Sequence, residues 1–367
     1  MPRGWATSPG VGATFEPADQ TASGWRQIDR PRRPMPTTSS THHPRGSRRL
    51  SRRLLLVLAI IGLVTAACGA TTAENPNGTS GGERPQIVAT TAILGNVLDH
   101  IVGDVADVAV LVPRDENPAT YRPTSEDADL LDDADLIVMI GLGYEARSLE
   151  VIEAAAEQGT EVFEIGPELD PITYTGSGQD PDDDTVPDPF VWMDPHRMIE
   201  AVPILADRLG QLSIPLADLD TLDRADNYAD QLRITEADMT EILATVDEAE
   251  RILITDAEGL AYLAERYDFE LVDIGNEGRV PGAPLGTREL SRLQDAVDEH
   301  DIEVLFIRQL PGSSVGDQID EHFEGTIDVV ELWVDTLSEA GGDAVDYRQL
   351  LQTDATLIAD ALTPESD

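Results

Sequence analysis

The chain has 367 residues, 41% of them hydrophobic, with 25 basic against 70 acidic side chains. That apolar content excludes a disordered polymer, and the formal charge of −45 repels nucleic acid and anionic lipid headgroups. The length is enough for about two ordinary domains.

Every basic residue is Arg, and residues 1–67 hold 10 Arg and 3 acidic residues, leaving 15 against 67, a formal −52, for the rest. An acidic surface is compatible with cations or a saline habitat, but acidity alone defines a solvated face and no site.

Residues 1–47 are rich in Pro, Gly, Arg and Thr and show no periodicity, and Met35 is a candidate start. The basic run Arg48-Arg49-Leu50-Ser51-Arg52-Arg53 then precedes an apolar stretch, Leu54 to Ala67, that ends in Ala66-Ala67-Cys68. A positive flank, a short apolar stretch and small residues before a cysteine predict a secretory signal with a lipoprotein cleavage site. The stretch is shorter than the ~20 residues of a spanning helix.

Cys68 is the single cysteine, which excludes an intramolecular disulfide. It is the predicted lipidation site, with a plain signal peptide or anchor as the alternative, since Thr65 stands where a larger aliphatic residue is more usual. Residues 1–67 are thus read as an extension and signal peptide, and 68–85 as a Gly-rich tether. As a coil, that tether reaches roughly 20–25 Å, and the folded part is expected on the outer face of the cytoplasmic membrane.

Residues 86–194 predict a first α/β lobe. Strands over Gln86 to Ile93, Val105 to Val112, Leu136 to Ile140 and Val162 to Ile165 alternate with helices over Leu94 to Val102, Thr124 to Ala134 and Tyr144 to Gln158. Strands apolar on both faces, alternating with helices, imply a parallel sheet covered by helices. From Pro167 through Pro189 the prolines, glycines and the run Asp180-Pro181-Asp182-Asp183-Asp184 predict loop.

The phrase Asp188-Pro189-Phe190-Val191-Trp192-Met193-Asp194-Pro195 ends the loop. Asp194 is a good cap and Pro195 a good first-turn residue. The region 195–249 reads as helical, with Met198, Val202, Leu205, Leu209 and Leu212 on one face and a kink or shifted start at Pro203. A long helix from Ala217 to Val246 follows.

Residues 250–367 predict a second α/β lobe. Its strands span Arg251 to Thr255, Glu270 to Ile274, Val304 to Ile307 and Val329 to Val334. Its helices span Gly259 to Arg266, Thr287 to His300, Val315 to Phe323 and Tyr347 to Leu362. The predicted fold is therefore two α/β lobes with parallel sheets, joined by one long rigid helix, with a ligand cleft between them.

Several phrases stand in order along 86–362: Thr90-Thr91-Ala92-Ile93-Leu94, Asn117 to Pro123, Gly141-Leu142-Gly143-Tyr144-Glu145, Asp188 to Pro195, Tyr262 to Tyr267, Leu305-Phe306-Ile307 and Val334-Asp335-Thr336-Leu337. In these the chain resembles the zinc- and manganese-receptor family of bacterial ABC importers. The resemblance implies a lipoprotein that hands Zn²⁺ or Mn²⁺ to a membrane permease with its cytoplasmic ATPase, and lobes that close with little rotation.

It also implies four metal ligands, commonly two His from the first lobe, a His or Glu early in the second and an Asp late in it. Those places fall on Ala119, Phe190, Ala257 and Asp335, so Asp335 alone keeps a donor. Where the family often has a Glu, this chain has Arg308, a candidate ion-pair partner for Asp335. A methyl or a phenyl ring ligates no metal.

Glu116, Asp188, Asp256 and Glu258 lie beside the lost positions and could rebuild an all-oxygen site. His196 is a minority ligand candidate and otherwise a surface histidine. Trp192 is expected to pack the hinge at the cleft. No Ser-His-Asp set, phosphate loop or HExxH phrase is present, so a binding protein is expected, not an enzyme. Three readings stay open: a metal receptor, a receptor-fold scaffold, and a binder of a different small solute.

Overall fold

Short β-branched runs with no polar face form the centre of each lobe. In the computed structural model, which describes residues 84–175, 185–212, 219–255, 258–273, 281–300 and 302–363, the first lobe has β1 (Gln86–Ala89), β2 (Asp107–Val110), β3 (Leu136–Met139) and β4 (Glu161–Glu164). They pair in parallel in the order β2-β1-β3-β4, and β3 is buried along its whole length. The signal segment with Cys68, most of the tether, the run Asp180 to Asp184, and Asp256 and Ala257 lie outside the described residues.

Helices α1 (Ala92–Val102), α2 (Ser125–Asp132) and α3 (Leu149–Gln158) cover this sheet. The first strand stops at Ala89, short of the expected Ile93, because the Thr91 hydroxyl accepts from Leu94 N at 3.1 Å and starts α1 two residues early. A capping box between Thr124 and Asp127 starts α2.

The third helix begins at Leu149, five residues later than expected. The Glu145 carboxylate is turned inward, accepting from Ile140 N at 2.8 Å, Gly141 N at 3.0 Å and the Thr90 hydroxyl at 2.7 Å. These bonds hold 141–148 as turns over the sheet's strand ends. The expected loop before Pro189 also carries a short antiparallel ladder, β5 (Thr173–Thr175) with β6 (Thr185–Pro187).

Two helices connect the lobes, α4 (Pro195–Gln211) and the 25-residue α5 (Leu219–Leu243). At 1.5 Å per residue α5 is about 37 Å long, shorter than the span expected to Val246. Helix α4 starts at Pro195 and continues through Pro203, so its start is not shifted. Pro203 lies on the exposed face, so its ring meets no neighbouring element.

The second lobe repeats the first lobe's plan. Strands β7 (Ile252–Thr255), β8 (Glu270–Asp273), β9 (Val304–Arg308) and β10 (Asp328–Leu332) pair in parallel in the order β10-β9-β7-β8. Helices α6 (Ala261–Tyr267), α7 (Thr287–His300), α8 (Val315–Phe323) and α9 (Tyr347–Leu362) flank them.

All the described residues belong to one compact unit. One apolar core passes through both lobes, including Ile87 and Leu136 of the first, Leu205 and Leu232 of the connecting helices, and Leu253, Phe306 and Tyr347 of the second. Helix α5 packs on α4, on α1 and on α9, so elements of both lobes rest on one rod. Among the described residues no helix is long and apolar enough to cross a membrane.

Strand β10 ends at Leu332, two residues before the expected Val334, because Trp333 N donates to Asp354 Oδ1 at 2.9 Å. Asp354 is fully buried and its Oδ2 has no hydrogen-bond partner. Burial pushes its carboxyl well above the ordinary value, offset only in part by the Trp333 bond.

An acid whose folded pKa is raised binds its proton more tightly when folded. Its contribution is therefore full below the unfolded value of ~3.9 and declines as pH rises toward the folded value. We expect Asp354→Asn to gain stability relative to the wild type as pH is raised from about 4 to 8, measured by urea unfolding at a series of pH values. A difference that stays constant across that range contradicts the assignment.

Candidate solute site between the lobes

In open α/β sheets ligands meet the carboxyl ends of the strands, and here both sheets turn those ends toward the same cluster. Arg308 is the last residue of β9, and Asp335 follows β10 by three residues. The β9–β10 ladder pairs Arg308 with Leu332, and Gln309 N donates to Leu332 O at 2.7 Å, so the two side chains are held on neighbouring strands. Tyr144 comes from the turn after β3. Trp192 comes from the single turn, Val191–Met193, that leads into α4, and Phe190 is the residue that begins it.

Asp335 is 2% exposed and Arg308 7%. Arg308 Nη1 donates to Asp335 Oδ1 at 3.4 Å and Oδ2 at 3.3 Å, and the Tyr144 hydroxyl donates to Oδ1 at 3.3 Å. One nitrogen therefore spans both carboxylate oxygens, at distances longer than the ~2.8 Å of a tight paired fork.

The guanidinium carbon also lies 5.7 Å from the Phe190 ring centroid, within cation–π range. Phe190, Tyr144 and Trp192 meet edge-on or tilted, with centroids 5.0–5.7 Å apart. Trp192 Nε1 donates to Val334 O at 2.7 Å, and the Tyr347 hydroxyl donates to Trp192 O. Trp192 thus packs between the two lobes.

Burial pushes the Asp335 carboxyl above its ordinary value, and the Arg308 charge, with the Tyr144 and Arg308 hydrogen bonds, offsets that only in part. Burial, then the Asp335 and Glu145 charges, pushes the Tyr144 phenol well above its ordinary value. Tyr144 is accordingly a neutral donor here.

The turn itself is set by a buried carboxylate. Asp194, 1% exposed, caps α4 by accepting from His196 N at 2.9 Å. It also accepts a two-pronged contact from Arg266 at 2.9 Å on each oxygen and a bond from Arg197 at 2.7 Å. Asp188 Oδ1 accepts from Phe190 N at 2.8 Å, and Asp188 O accepts from the Tyr262 hydroxyl at 2.7 Å. These bonds leave the Phe190 ring facing Arg308.

The other candidates are dispersed. Ala119 is half-buried, and its N–H donates to Asn117 Oδ1 at 2.9 Å. Glu116 is exposed. His196 is half-exposed, with Nδ1 3.2 Å from Glu236 Oε1, and shares no partner with Asp335. Glu258 is exposed and borders a cavity of about 440 Å³ lined also by Phe190, Pro187, Asp188, Pro189 and Asp273. Asp256 and Ala257 are outside the described residues. Among the described residues, no three His, Cys, Asp or Glu side chains gather as a metal-holding group.

The loop carrying Ala119 crosses to the second lobe. Arg114 Nη1 donates to Ser338 O at 3.1 Å and Val345 O at 2.6 Å, and Asn117 Nδ2 donates to Pro281 O at 3.0 Å. Sequence reasoning did not assign these two residues, or Tyr144, to the site. A polar side chain that bonds to a carbonyl from a distant stretch leaves no local pattern.

Two parallel α/β sheets facing each other across one cleft, with a long helix bracing both, define a two-lobed solute-binding receptor. The chain belongs to the family described as zinc-uptake complex component A, periplasmic, whose model matches residues 87–361.

It is 26% identical over 301 residues to the manganese-binding lipoprotein MntA of Halalkalibacterium halodurans, covering 81% of this chain and 93% of that protein. It is 24% identical over 326 residues to the high-affinity zinc uptake system protein ZnuA of Bacillus subtilis, covering 85% and 98%. In fold it is similar to the periplasmic zinc binding protein TroA of Treponema pallidum, with a TM-score of 0.65 at 20% identity, covering 77% of this chain and all of that one. A Mn-bound periplasmic metal binding protein of Candidatus Liberibacter asiaticus gives a TM-score of 0.64 at 22% identity, covering 76% and 100%.

Gly259 touches the cluster from behind. Its φ is +107°, and a Cβ there would lie 2.6 Å from Val334 Cγ1 and 3.0 Å from Phe190 Cδ1. Both the backbone conformation and the space call for glycine. We expect Gly259→Ala to cost about 1–3 kcal/mol, read as a lowered thermal midpoint. An unchanged midpoint would show that Phe190 is free to move away.

Proposed function

We propose that this chain is the extracytoplasmic solute-binding subunit of an ABC importer and delivers a metal ion, Zn²⁺ or Mn²⁺, to a membrane permease powered by a cytoplasmic ATPase. Family membership along 87–361 supports the receptor role. Relatives named for manganese and for zinc support the class of cargo. The basic run, apolar stretch and Cys68 support secretion and a lipid anchor on the outer face of the membrane, where the tether raises the local concentration at the permease. Nothing in this reading requires catalysis.

The observation that carries the cargo reading is the buried Asp335 carboxylate at the strand ends of the second lobe, the one family ligand place that keeps a donor. The places at Ala119, Phe190 and Ala257 offer none, so any further donors come from Glu116, Asp188, Asp256, Glu258 or His196. The cage differs in kind from the family's N and O set. The Arg308–Asp335 pair favours a second reading, a receptor fold kept as a scaffold or given over to a different solute.

Titration of Zn²⁺ and Mn²⁺ into the chelator-stripped protein by calorimetry, with bound metal counted by mass spectrometry, separates the two. One ion per chain, lost in Asp335→Ala, is the expected result. Binding no greater than that of Asp335→Ala moves the cargo away from metal ions and supports the second reading.

A further inference from the structure

From the geometry around Asp335 we infer that Arg308 is a built-in cation, doing inside the cleft what a bound metal ion would do, so that the lobes are held together without solute. This rests on the receptor reading above and adds to it how that site is regulated.

A divalent ion between two lobes works by drawing electron-rich groups from both sides onto one positive charge. Arg308 is arranged in that way. Its Nη1 is nearly equidistant from the two Asp335 oxygens, at 3.3 and 3.4 Å, so it addresses the carboxylate as a point charge. Its other contact, with the Phe190 ring face at 5.7 Å, comes from the turn that closes the first lobe.

Phe190 stands at one of the family's ligand places, so the substitution replaces an imidazole that would hold a metal with a ring that holds a guanidinium. Tyr144 adds a neutral donor from the first lobe to the same carboxylate. The loop 113–121 adds further bonds to the second lobe, Arg114 to Ser338 O and Val345 O and Asn117 to Pro281 O, and these need no ion.

The arrangement has a binding consequence. A carboxylate whose charge is already matched offers little to a dication, and an incoming ion must first displace a buried guanidinium. Arg308 therefore lowers metal affinity while it keeps the cleft shut.

The test is Arg308→Gln, which keeps a donor toward Asp335 and removes the charge. Hydrogen exchange of the loop 113–121 reports closure, since Arg114 and Asn117 tie that loop to the second lobe. With chelator present, the wild-type loop is expected to be protected, and protection in Arg308→Gln is expected to fall roughly tenfold. Equal protection in both proteins with chelator present overturns the inference.

The exchange readout separates this idea from the cargo reading. If the wild type binds no metal, the cargo reading fails, yet a loop that opens in Arg308→Gln still supports the built-in cation. Should Arg308→Gln not fold, by circular dichroism, the double variant Arg308→Met with Asp335→Leu removes the cation without leaving a buried charge unpaired. A folded variant with an unprotected loop supports the inference, and wild-type protection, or again no folded protein, overturns it.

Discussion

A carboxylate that keeps its charge out of water needs a matching cation or donors, and in this molecule Asp335 imposes that condition on the cleft. The match comes from Arg308, one strand away in the same sheet, and not from histidines across the gap. The other members follow. Phe190 offers the guanidinium a ring face, Tyr144 gives the carboxylate a neutral donor, and Trp192 seals the floor by donating to the carbonyl of Val334. The charge is thereby satisfied within the fold.

A second buried carboxylate makes that arrangement possible. Asp194 joins the start of α4 to α6 through Arg266 and to its own next turn through Arg197, so the single turn bearing Phe190 and Trp192 is pinned at its exit. Asp188 pins it at its entrance. Short polar bonds at both ends set the direction of two large aromatic rings, which is why a stretch of eight residues shapes the cleft more than any helix does.

Much of this was legible in the sequence, for a physical reason. The parallel strands are apolar on both faces and the helices keep their stripe, so alternation was enough to predict two lobes, and α7, α8 and α9 lie where their periodicity places them. Three of the bounds that were misread are set by side chains. The Thr91 hydroxyl begins α1 early, the inward Glu145 carboxylate delays α3, and the bond from Trp333 to Asp354 ends β10. Around the site, Arg308 and Asp335 could be named from matching phrases. The clasp by Arg114 and Asn117 joins residues more than 160 positions apart, and no local pattern encodes it.

The rod-like helix α5 carries a consequence for how the molecule comes apart. The largest apolar core runs through both lobes, and elements of each rest on the same helix, so the smaller cluster that each lobe keeps to itself, around Ile137 in the first and Leu305 in the second, has little support once that shared core melts. Heating or denaturant should meet a single cooperative unit rather than two modules failing in turn. Damage on the remote side of either lobe is then felt at the cleft as a loss of folded molecules, with the geometry of the survivors unchanged.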